Sequence, residues 1–365
     1  MRKHYLDGLR GLAVVVMVLA HVTDGWTSAA GKQADWHVQV VFISGLAAPL
    51  FLFLAGLTLS MAAVAKATTL GHAAAAARAW RHGWQIFALA FLFRLQSQLL
   101  GWGPLINFLK VDILNVMGLA MAAAAALWGL STSRAIRIFW FAVAAAAATF
   151  FTPLVREWSW LASLPDPIEA YLRPIVGKTT FAMFPWAGFL FAGAMVGELV
   201  AAVGTRAQEL RLHGGLLAAG VAAVVLGYWA SFQPSLYPVA DFWTSSPTFF
   251  FIRLGIAAVL LPLVYVAFEI PTAAARRRGQ AGDPPGSASM VTVLGRSSLF
   301  VYWIHVEIVY GVLGRPIRRA LPLEASLAAT VVLCLVVYGL VLWKNRLMEG
   351  VHPAGAFRLV APVLK

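Results

Sequence analysis

The chain has 365 residues, of which 61% are hydrophobic and 12% are charged, and its formal net charge is +13. Soluble domains are typically about 45 to 50% apolar and about 25% charged, so this composition excludes an ordinary soluble protein and indicates an integral membrane protein. The single cysteine, Cys334, excludes an intramolecular disulfide and a cysteine-rich metal site.

Apolar windows of about 20 residues, the helical length that crosses about 30 Å of hydrocarbon, recur along the sequence. We predict an all-α integral membrane protein, with residues 1–365 forming a single transmembrane domain, a bundle of about ten helices. The first span has no small-residue cleavage site after it and is expected to be retained rather than removed as a signal peptide. The predicted spans are residues 8–23, 41–64, 82–100, 113–130, 135–152, 181–203, 214–232, 249–270, 291–312 and 325–343.

Two polar segments interrupt the apolar pattern. Residues 153–180 are rich in Trp and Tyr and are expected at the outer interface, as a short amphipathic or re-entrant piece. Residues 271–290, with the sequence RRRGQAGDPPGSAS, are expected to form a flexible, basic cytoplasmic loop. Most Lys and Arg residues lie on the inner side if the N-terminus is cytoplasmic, so both termini are predicted to be cytoplasmic. Positive charge spread over loops that face anionic lipid argues against a nucleic-acid partner.

The stretch LDGLRGLAVVVMVLAH, residues 6–21 at the first predicted span, carries two polar side chains that are expensive to bury, Arg10 and His21. Eleven positions at about 100° each bring His21 to within about 20° of the face of Arg10, with a rise of about 16 Å between them. Asp7, three residues before Arg10, is placed for an ion pair. This stripe indicates a polar path through the bundle. The alternative is that Arg10 anchors the helix at the inner interface and His21 merely begins the outer loop.

The outer loop after this span supplies further candidates for acid–base chemistry. Asp24, Asp35 and His37 follow His21 within a short stretch, each near a tryptophan. A histidine that accepts a proton and a carboxylate that orients it suffice for general acid–base catalysis, so His21, His37, Asp24 and Asp35 are the candidate catalytic residues. The same residues could bind zinc, but they lack a compact spacing such as H-E-x-x-H. We therefore expect no metal.

The last third contains a matching set of polar residues. The sequence LGRSSLFVYWIHVEIVYG, residues 294–311, places Arg296, Ser298, Tyr302 and His305 in an otherwise apolar stretch. His305 follows Tyr302 by three positions and should lie beside it. A lone histidine inside a membrane is also common as a hydrogen-bonded core residue, so both interpretations of His305 stay open.

Four segments resemble successive signatures of the transmembrane acyltransferase superfamily. They are RKHYLDGLRGLAVVVMVLAH, APLFLFLAGLTLSM, FPWAGFLFAGAMVG and LGRSSLFVYWIH, and the likeness extends from residue 5 to about 311. Within the superfamily, the chain is similar to bacterial relatives of the heparan-α-glucosaminide N-acetyltransferase catalytic domain, beside the acyltransferase family three enzymes that O-acetylate surface glycans.

The resemblance implies transfer of an acyl group, usually acetyl, from cytoplasmic acyl-CoA to a hydroxyl or amine across the membrane. Family three enzymes carry an Arg, ten residues and a His in the first helix, and Arg10 and His21 fit that spacing. The lysosomal branch has its essential His in the following loop, which corresponds to His37. We favour His21 as the catalytic base, with His37 as the alternative.

The resemblance also implies a donor site for acetyl-CoA. Basic groups at the inner end, Arg10 with Asp7 and Arg296, are expected to hold the phosphates. Ser298, Tyr302 and His305 are expected to shape the tunnel or to polarise the thioester carbonyl.

The expected partners are membrane lipid, acyl-CoA and a glycan or small-molecule acceptor, and the expected location is the inner (plasma) membrane. The oligomeric state stays open, a homodimer included. A transporter or flippase of a lipid-linked or small polar substrate is the alternative function, although no internal repeat supports an inverted-repeat transporter.

Overall fold

The structure, a computed structural model, describes residues 3–101, 108–277 and 289–349. Within these ranges the regular elements are helices and no β-strand is present. The predicted all-α class is therefore confirmed for the described part of the chain. The α-helices are α1 (His4–Trp26), α2 (His37–Ser44), α3 (Ala47–Leu70), α4 (His72–Gly101), α5 (Ile113–Gly129), α6 (Arg134–Phe150), α7 (Thr152–Glu157), α8 (Asp166–Leu172), α9 (Met183–Ala202), α10 (Arg206–Ala230), α11 (Pro247–Arg277), α12 (Met290–Arg296), α13 (Ser298–Tyr310) and α14 (Leu323–Met348).

Short 3-10 helices complete the described structure, at Gly31–Gln33, Ser159–Ser163 and Val312–Ile317. The second of these lies between α7 and α8, so the polar segment 153–180 contains short helical pieces rather than a span. Its location at the outer interface stays a prediction. Arg173 connects the two ends of this segment, because its guanidinium donates hydrogen bonds to the carbonyls of Arg156 and Trp158.

Six helical stretches in the described ranges are long and apolar enough to cross a bilayer. They are His4–Trp26, His37–Leu70, Met183–Ala202, Arg206–Ala230, Pro247–Glu269 and Leu323–Met348. The chain is therefore a membrane protein, but the predicted count of about ten spans is not confirmed. The other four predicted spans coincide with α4, α5, α6 and the α12–α13 pair. Helices α5 and α6 have 17 residues each, at the lower limit of the roughly 17 to 25 that a span needs, and α13 has 13.

Two predicted spans are interrupted in the structure. In the span 41–64 the chain turns at residues 45–46, between α2 and α3. Pro49, in the first turn of α3, has no N–H, and its ring clashes with the carbonyl of residue 45 in a continuous helix, which favours a break here. The span 291–312 breaks at Ser297, which has φ −105° and ψ 25°. The predicted loop 271–290 begins later than expected because α11 continues to Arg277. Residues 278–288 of that loop lie outside the described ranges.

The described residues group into two compact units. Unit 1 comprises the described parts of Met1–Ala48, Gln96–Gly103 and Leu263–Lys365. Unit 2 comprises the described parts of Pro49–Leu95 and Pro104–Pro262. The expectation of a single domain stays a prediction.

In unit 1, α1 packs against α2, α12, α13 and α14. Its contact with α12 is backbone against backbone: a Cβ on Gly11 would lie 1.8 Å from the carbonyl oxygen of Val291. A Cβ on Gly295 would lie 1.9 Å from the carbonyl oxygen of Asp7. Small residues carry helix packing in membranes because lipid removes the hydrophobic drive between helices. Only glycine fits at these two positions.

In unit 2, α3 and α9 approach each other in the same way. A Cβ on Gly56 would lie 1.9 Å from the carbonyl oxygen of Leu190, and a Cβ on Gly193 would lie 1.9 Å from that of Phe53. The segments APLFLFLAGLTLSM and FPWAGFLFAGAMVG, noted from the sequence, therefore form one helix–helix contact.

Unit 2 also holds a buried ion pair between Arg137 of α6 and Glu198 of α9. The guanidinium donates from Nη2 to Glu198 Oε2 at 2.7 Å, and Trp128 Nε1 donates to Glu198 Oε1 at 2.7 Å. Nη1 of Arg137 donates to the carbonyls of Ser131 and Thr132. Both charges are thus paired and hydrogen-bonded, which is the condition for burying them at an acceptable cost.

Replacing Gly11 by Ala is expected to destabilise the protein by about 2 kcal/mol or more, because the new methyl group overlaps the backbone of α12. Gly339→Ala is the matched control, since nothing lies within 4 Å of a Cβ at this position of α14. Thermal unfolding in detergent measures both variants. Equal stability of Gly11→Ala and wild type would refute the close contact.

Replacing Glu198 by Gln is expected to lower the free energy of unfolding by about 3 to 5 kcal/mol, because Arg137 then remains buried without its counter-charge. Glu157→Gln removes an exposed carboxylate at the end of α7 and should change the free energy of unfolding by less than about 0.5 kcal/mol. Denaturant unfolding of the two variants gives the comparison. Similar losses in both would contradict a specific role for the buried pair.

Candidate active site

The polar stripe of α1 faces α12 and α13 within unit 1. Arg10 lies near the level at which Gly11 meets α12, and His21 lies near the other end of α1, against α13. Helices α1 and α13 run in the same direction, since His305 lies beside His21 and Val309 beside Trp26. The rise between Arg10 and His21 is about 16 Å. The stripe predicted from the sequence is therefore directed toward neighbouring helices of unit 1.

His21 and His305 form a hydrogen-bonded pair. Nδ1 of His21 lies 2.7 Å from Nε2 of His305, and the ring centroids are 4.9 Å apart at an interplanar angle of 24°. Nδ1 of His305 lies 2.6 Å from the carbonyl oxygen of Val301, one helical turn earlier. His305 is 0% exposed, whereas His21 retains partial exposure. The ring of His305 is therefore enclosed by protein, whereas the ring of His21 is partly accessible.

The rim beside His21 is formed by Tyr310 and Asp24. The ring of Tyr310 meets that of His21 edge to face at 5.7 Å, and its hydroxyl donates to Asp24 Oδ2 at 2.8 Å. Lys32 lies 3.9 Å from Asp24 Oδ1 and donates to the carbonyl of Asp24. Asp24, one of the two carboxylates expected to orient His21, thus contacts Tyr310 and Lys32. The side chain that contacts Nδ1 of His21 is His305. Tyr310 was not among the predicted site residues.

The other end of the stripe is a cluster of charges around Asp7. Arg10 Nη1 lies 3.7 Å from Asp7 Oδ1, as the spacing predicted, and Arg296 Nε lies 3.5 Å from Asp7 Oδ2. Arg296 also lies 3.1 Å from Nδ1 of His4. One buried carboxylate therefore faces two guanidinium groups at this end of α1.

Lys344 of α14 adds a third positive charge that the sequence did not single out. Its side chain is buried, and Nζ donates to Ser297 Oγ at 3.1 Å and lies 5.3 Å from the centre of the Phe300 ring. Ser297 is the residue at which α12 ends, next to Arg296. A lysine within the last turns of an apolar helix was the available signal.

The remaining predicted site residues are placed as follows. Ser298 begins α13, and the ring of Tyr302 lies edge to face with His305 at 6.1 Å, as its spacing predicted. His37 begins α2, and Asp35 is exposed in the turn before it. In the part of the chain that the structure describes, no hydrogen bond or ring contact joins either of these two residues to His21.

A separate polar cluster lies in unit 2. Arg94 donates to Asp112 at 2.7 Å, and the Asp112 carboxylate caps the N-terminus of α5. Burial raises the pKa of Asp112 above its usual value, and the positive charge of Arg94 offsets only part of this effect. Nearby, burial raises the pKa of Tyr171 to about 12. The contacts of this cluster are those of a helix cap.

Within the described ranges, no group of three or more His, Cys, Asp or Glu side chains is placed to hold a metal ion. The side chains gathered along α1 are instead a histidine pair at one end and a basic cluster at the other. The histidine pair is of the residue type used in acid–base catalysis, and the basic cluster is of the residue types that bind anions.

Comparison with protein families gives a match that includes this helix. The model of the family described as heparan-alpha-glucosaminide N-acetyltransferase, catalytic, matches residues 2–234. The chain belongs to this family, and it is accordingly a membrane acetyltransferase. A comparison with curated proteins found no match. The matched range includes Arg10, His21 and His37, whereas Arg296 and His305 lie beyond it.

Proposed function

We propose that the protein transfers an acetyl or other acyl group from cytoplasmic acyl-CoA to a hydroxyl or amine of an extracytoplasmic glycan or similar acceptor. The observation that carries the proposal is the pairing of His21 with a buried histidine at one end of α1, while a basic cluster occupies the other end. Membership of an acetyltransferase family supports the same reaction class.

The basic cluster fits the phosphates of CoA. Arg10 and Arg296 both face the carboxylate of Asp7, and Lys344 contributes a further charge through its contact with the residue after Arg296. Guanidinium and ammonium groups bind phosphate oxygens through charge-assisted hydrogen bonds. The pantetheine arm is on the order of 15 to 20 Å long, which is comparable to the rise of about 16 Å from Arg10 to His21. We infer that these residues hold the nucleotide end of the donor.

The orientation of the protein follows from the same assignment. Acyl-CoA is cytoplasmic, so the end of α1 with Arg10 is proposed to face the cytoplasm and the end with His21 the opposite side. Excess Lys and Arg in the segments on that side supports this orientation by the positive-inside rule. Both termini are then cytoplasmic, and the chain crosses the inner membrane several times.

In the proposed reaction His21 is the general base. It removes the proton from the acceptor hydroxyl or amine as the acceptor attacks the thioester carbonyl. The new ester or amide bond forms, the carbon–sulfur bond breaks, and the proton passes from the imidazole to the departing CoA thiolate. Partial exposure of His21 allows an acceptor to reach it. His37 is the alternative base, and the first experiment below includes it.

His21→Ala is expected to lower the rate of acetyl transfer at least about 100-fold, the usual contribution of a general base. The measurement is release of CoA from acetyl-CoA by purified protein in lipid vesicles, with glucosamine as the acceptor probe. His37→Ala is the control and should retain activity. If His37→Ala abolishes transfer and His21→Ala does not, the roles are reversed. Movement of acceptor across the membrane without acyl-CoA would instead indicate a transporter.

Arg10→Ala, Arg296→Gln and Lys344→Gln are each expected to weaken acetyl-CoA binding about 10-fold, which corresponds to about 1.4 kcal/mol. Arg346→Gln is the matched control, because it removes an exposed positive charge from the same end of α14. Isothermal titration of the detergent-solubilised protein with CoA gives the dissociation constants. Unchanged affinity in all three variants would refute this phosphate site, and an equal loss in the control would indicate a nonspecific charge effect.

A further inference from the structure

We infer that His305 is a positioning residue that holds the His21 imidazole in one tautomer, with the proton on Nδ1 and a free electron pair on Nε2. The inference rests on the proposed function, in which His21 acts as the base. It assigns His305 a different task from the expected one, which was to shape the donor tunnel or polarise the thioester.

The direction of two hydrogen bonds carries the argument. The carbonyl oxygen of Val301 can only accept, and it lies 2.6 Å from His305 Nδ1, so Nδ1 of His305 bears a proton. A neutral imidazole has one N–H, which makes His305 Nε2 an acceptor. Nδ1 of His21, 2.7 Å away, must then be the donor. The electron pair of His21 is left on Nε2.

This chain of hydrogen bonds requires His305 to be neutral, and its surroundings meet that requirement. The side chain is 0% exposed, so water does not solvate a charge on it. The titratable groups around the pair are Asp24 on α1 and Tyr302 and Tyr310 on α13. Tyr310 and Lys32 engage the carboxylate of Asp24. In the described ranges no carboxylate forms an ion pair with His305.

A fixed tautomer matters for the reaction because only the ring nitrogen without a proton can accept one. With Nδ1–H committed to His305, the acceptor proton goes to Nε2, and the ring keeps its orientation when it becomes an imidazolium. A carboxylate in this position would also stabilise the imidazolium by its charge. A neutral histidine orients the ring without that attraction, so return of the proton to the CoA thiolate is less opposed.

The test combines two substitutions with a spectroscopic readout. His305→Leu removes the acceptor for His21 Nδ1–H, whereas the amide oxygen in His305→Gln can still accept this hydrogen bond. Solid-state NMR of 15N-histidine-labelled protein in lipid distinguishes protonated from unprotonated ring nitrogens. The His21 signals are assigned by their loss in His21→Ala. Acetyl-CoA turnover supplies kcat and KM, and thermal unfolding checks that each variant folds.

We expect His21 to be protonated on Nδ1 in the wild type and to become a mixture of tautomers in His305→Leu. For that variant kcat should fall at least about 10-fold while KM for acetyl-CoA changes by less than about 2-fold, because the donor site is untouched. His305→Gln should recover most of the rate. A wild-type His21 protonated on Nε2 would overturn the inference. So would a folded His305→Leu protein with unchanged kcat.

The wild-type NMR measurement does not depend on catalysis, and the only variant it needs is His21→Ala, which assigns the His21 signals and whose folding is checked by thermal unfolding. Absence of acetyl transfer by the wild type would therefore refute the proposed function while the tautomer of His21 is read independently.

Discussion

The site depends on the backbone contact between α1 and α12. Gly11 and Gly295 each lie directly against a backbone carbonyl of the other helix. A Cβ at either position would come within 2 Å of that carbonyl oxygen. This contact places Arg296 beside Asp7 and brings the start of α13 next to the middle of α1. From there α13 follows α1, so the register set at one end decides which residue of α13 meets His21 at the other. In a bilayer such packing replaces the hydrophobic drive that water supplies to soluble proteins.

The four segments that resemble the acyltransferase superfamily meet in two pairs. The first and fourth form the α1–α12 contact and continue into the histidine pair within unit 1. The second and third form the α3–α9 contact within unit 2. In each pair, a glycine on either helix lies directly against the backbone of the other helix. Part of the signature is thus a packing requirement.

The two units treat buried charge differently. Glu198 in unit 2 is balanced by Arg137. Trp128 donates a further hydrogen bond to Glu198, and two backbone carbonyls accept hydrogen bonds from Arg137. Such a network has no spare charge to offer a ligand. In unit 1, Asp7 faces two arginines, and Lys344 is held by a hydroxyl and an aromatic ring. Basic side chains gathered at one end of α1 suit the phosphate-bearing donor that we propose, because guanidinium and ammonium groups bind phosphate oxygens through charge-assisted hydrogen bonds.

The sequence by itself determined the membrane class, the all-α class and the ion pair of Asp7 with Arg10, because composition, apolar length and helical spacing are local properties. Helical spacing also predicted the contact between Tyr302 and His305. Only the tertiary structure decided that His21 pairs with His305, 284 residues away, and that Asp24 pairs with Tyr310. The break at Ser297 places Arg296 and His305 on different helices, and Lys344 joins the site through the packing of α14. Contacts between helices depend on which backbones can touch, and helical spacing within one segment holds no information about that.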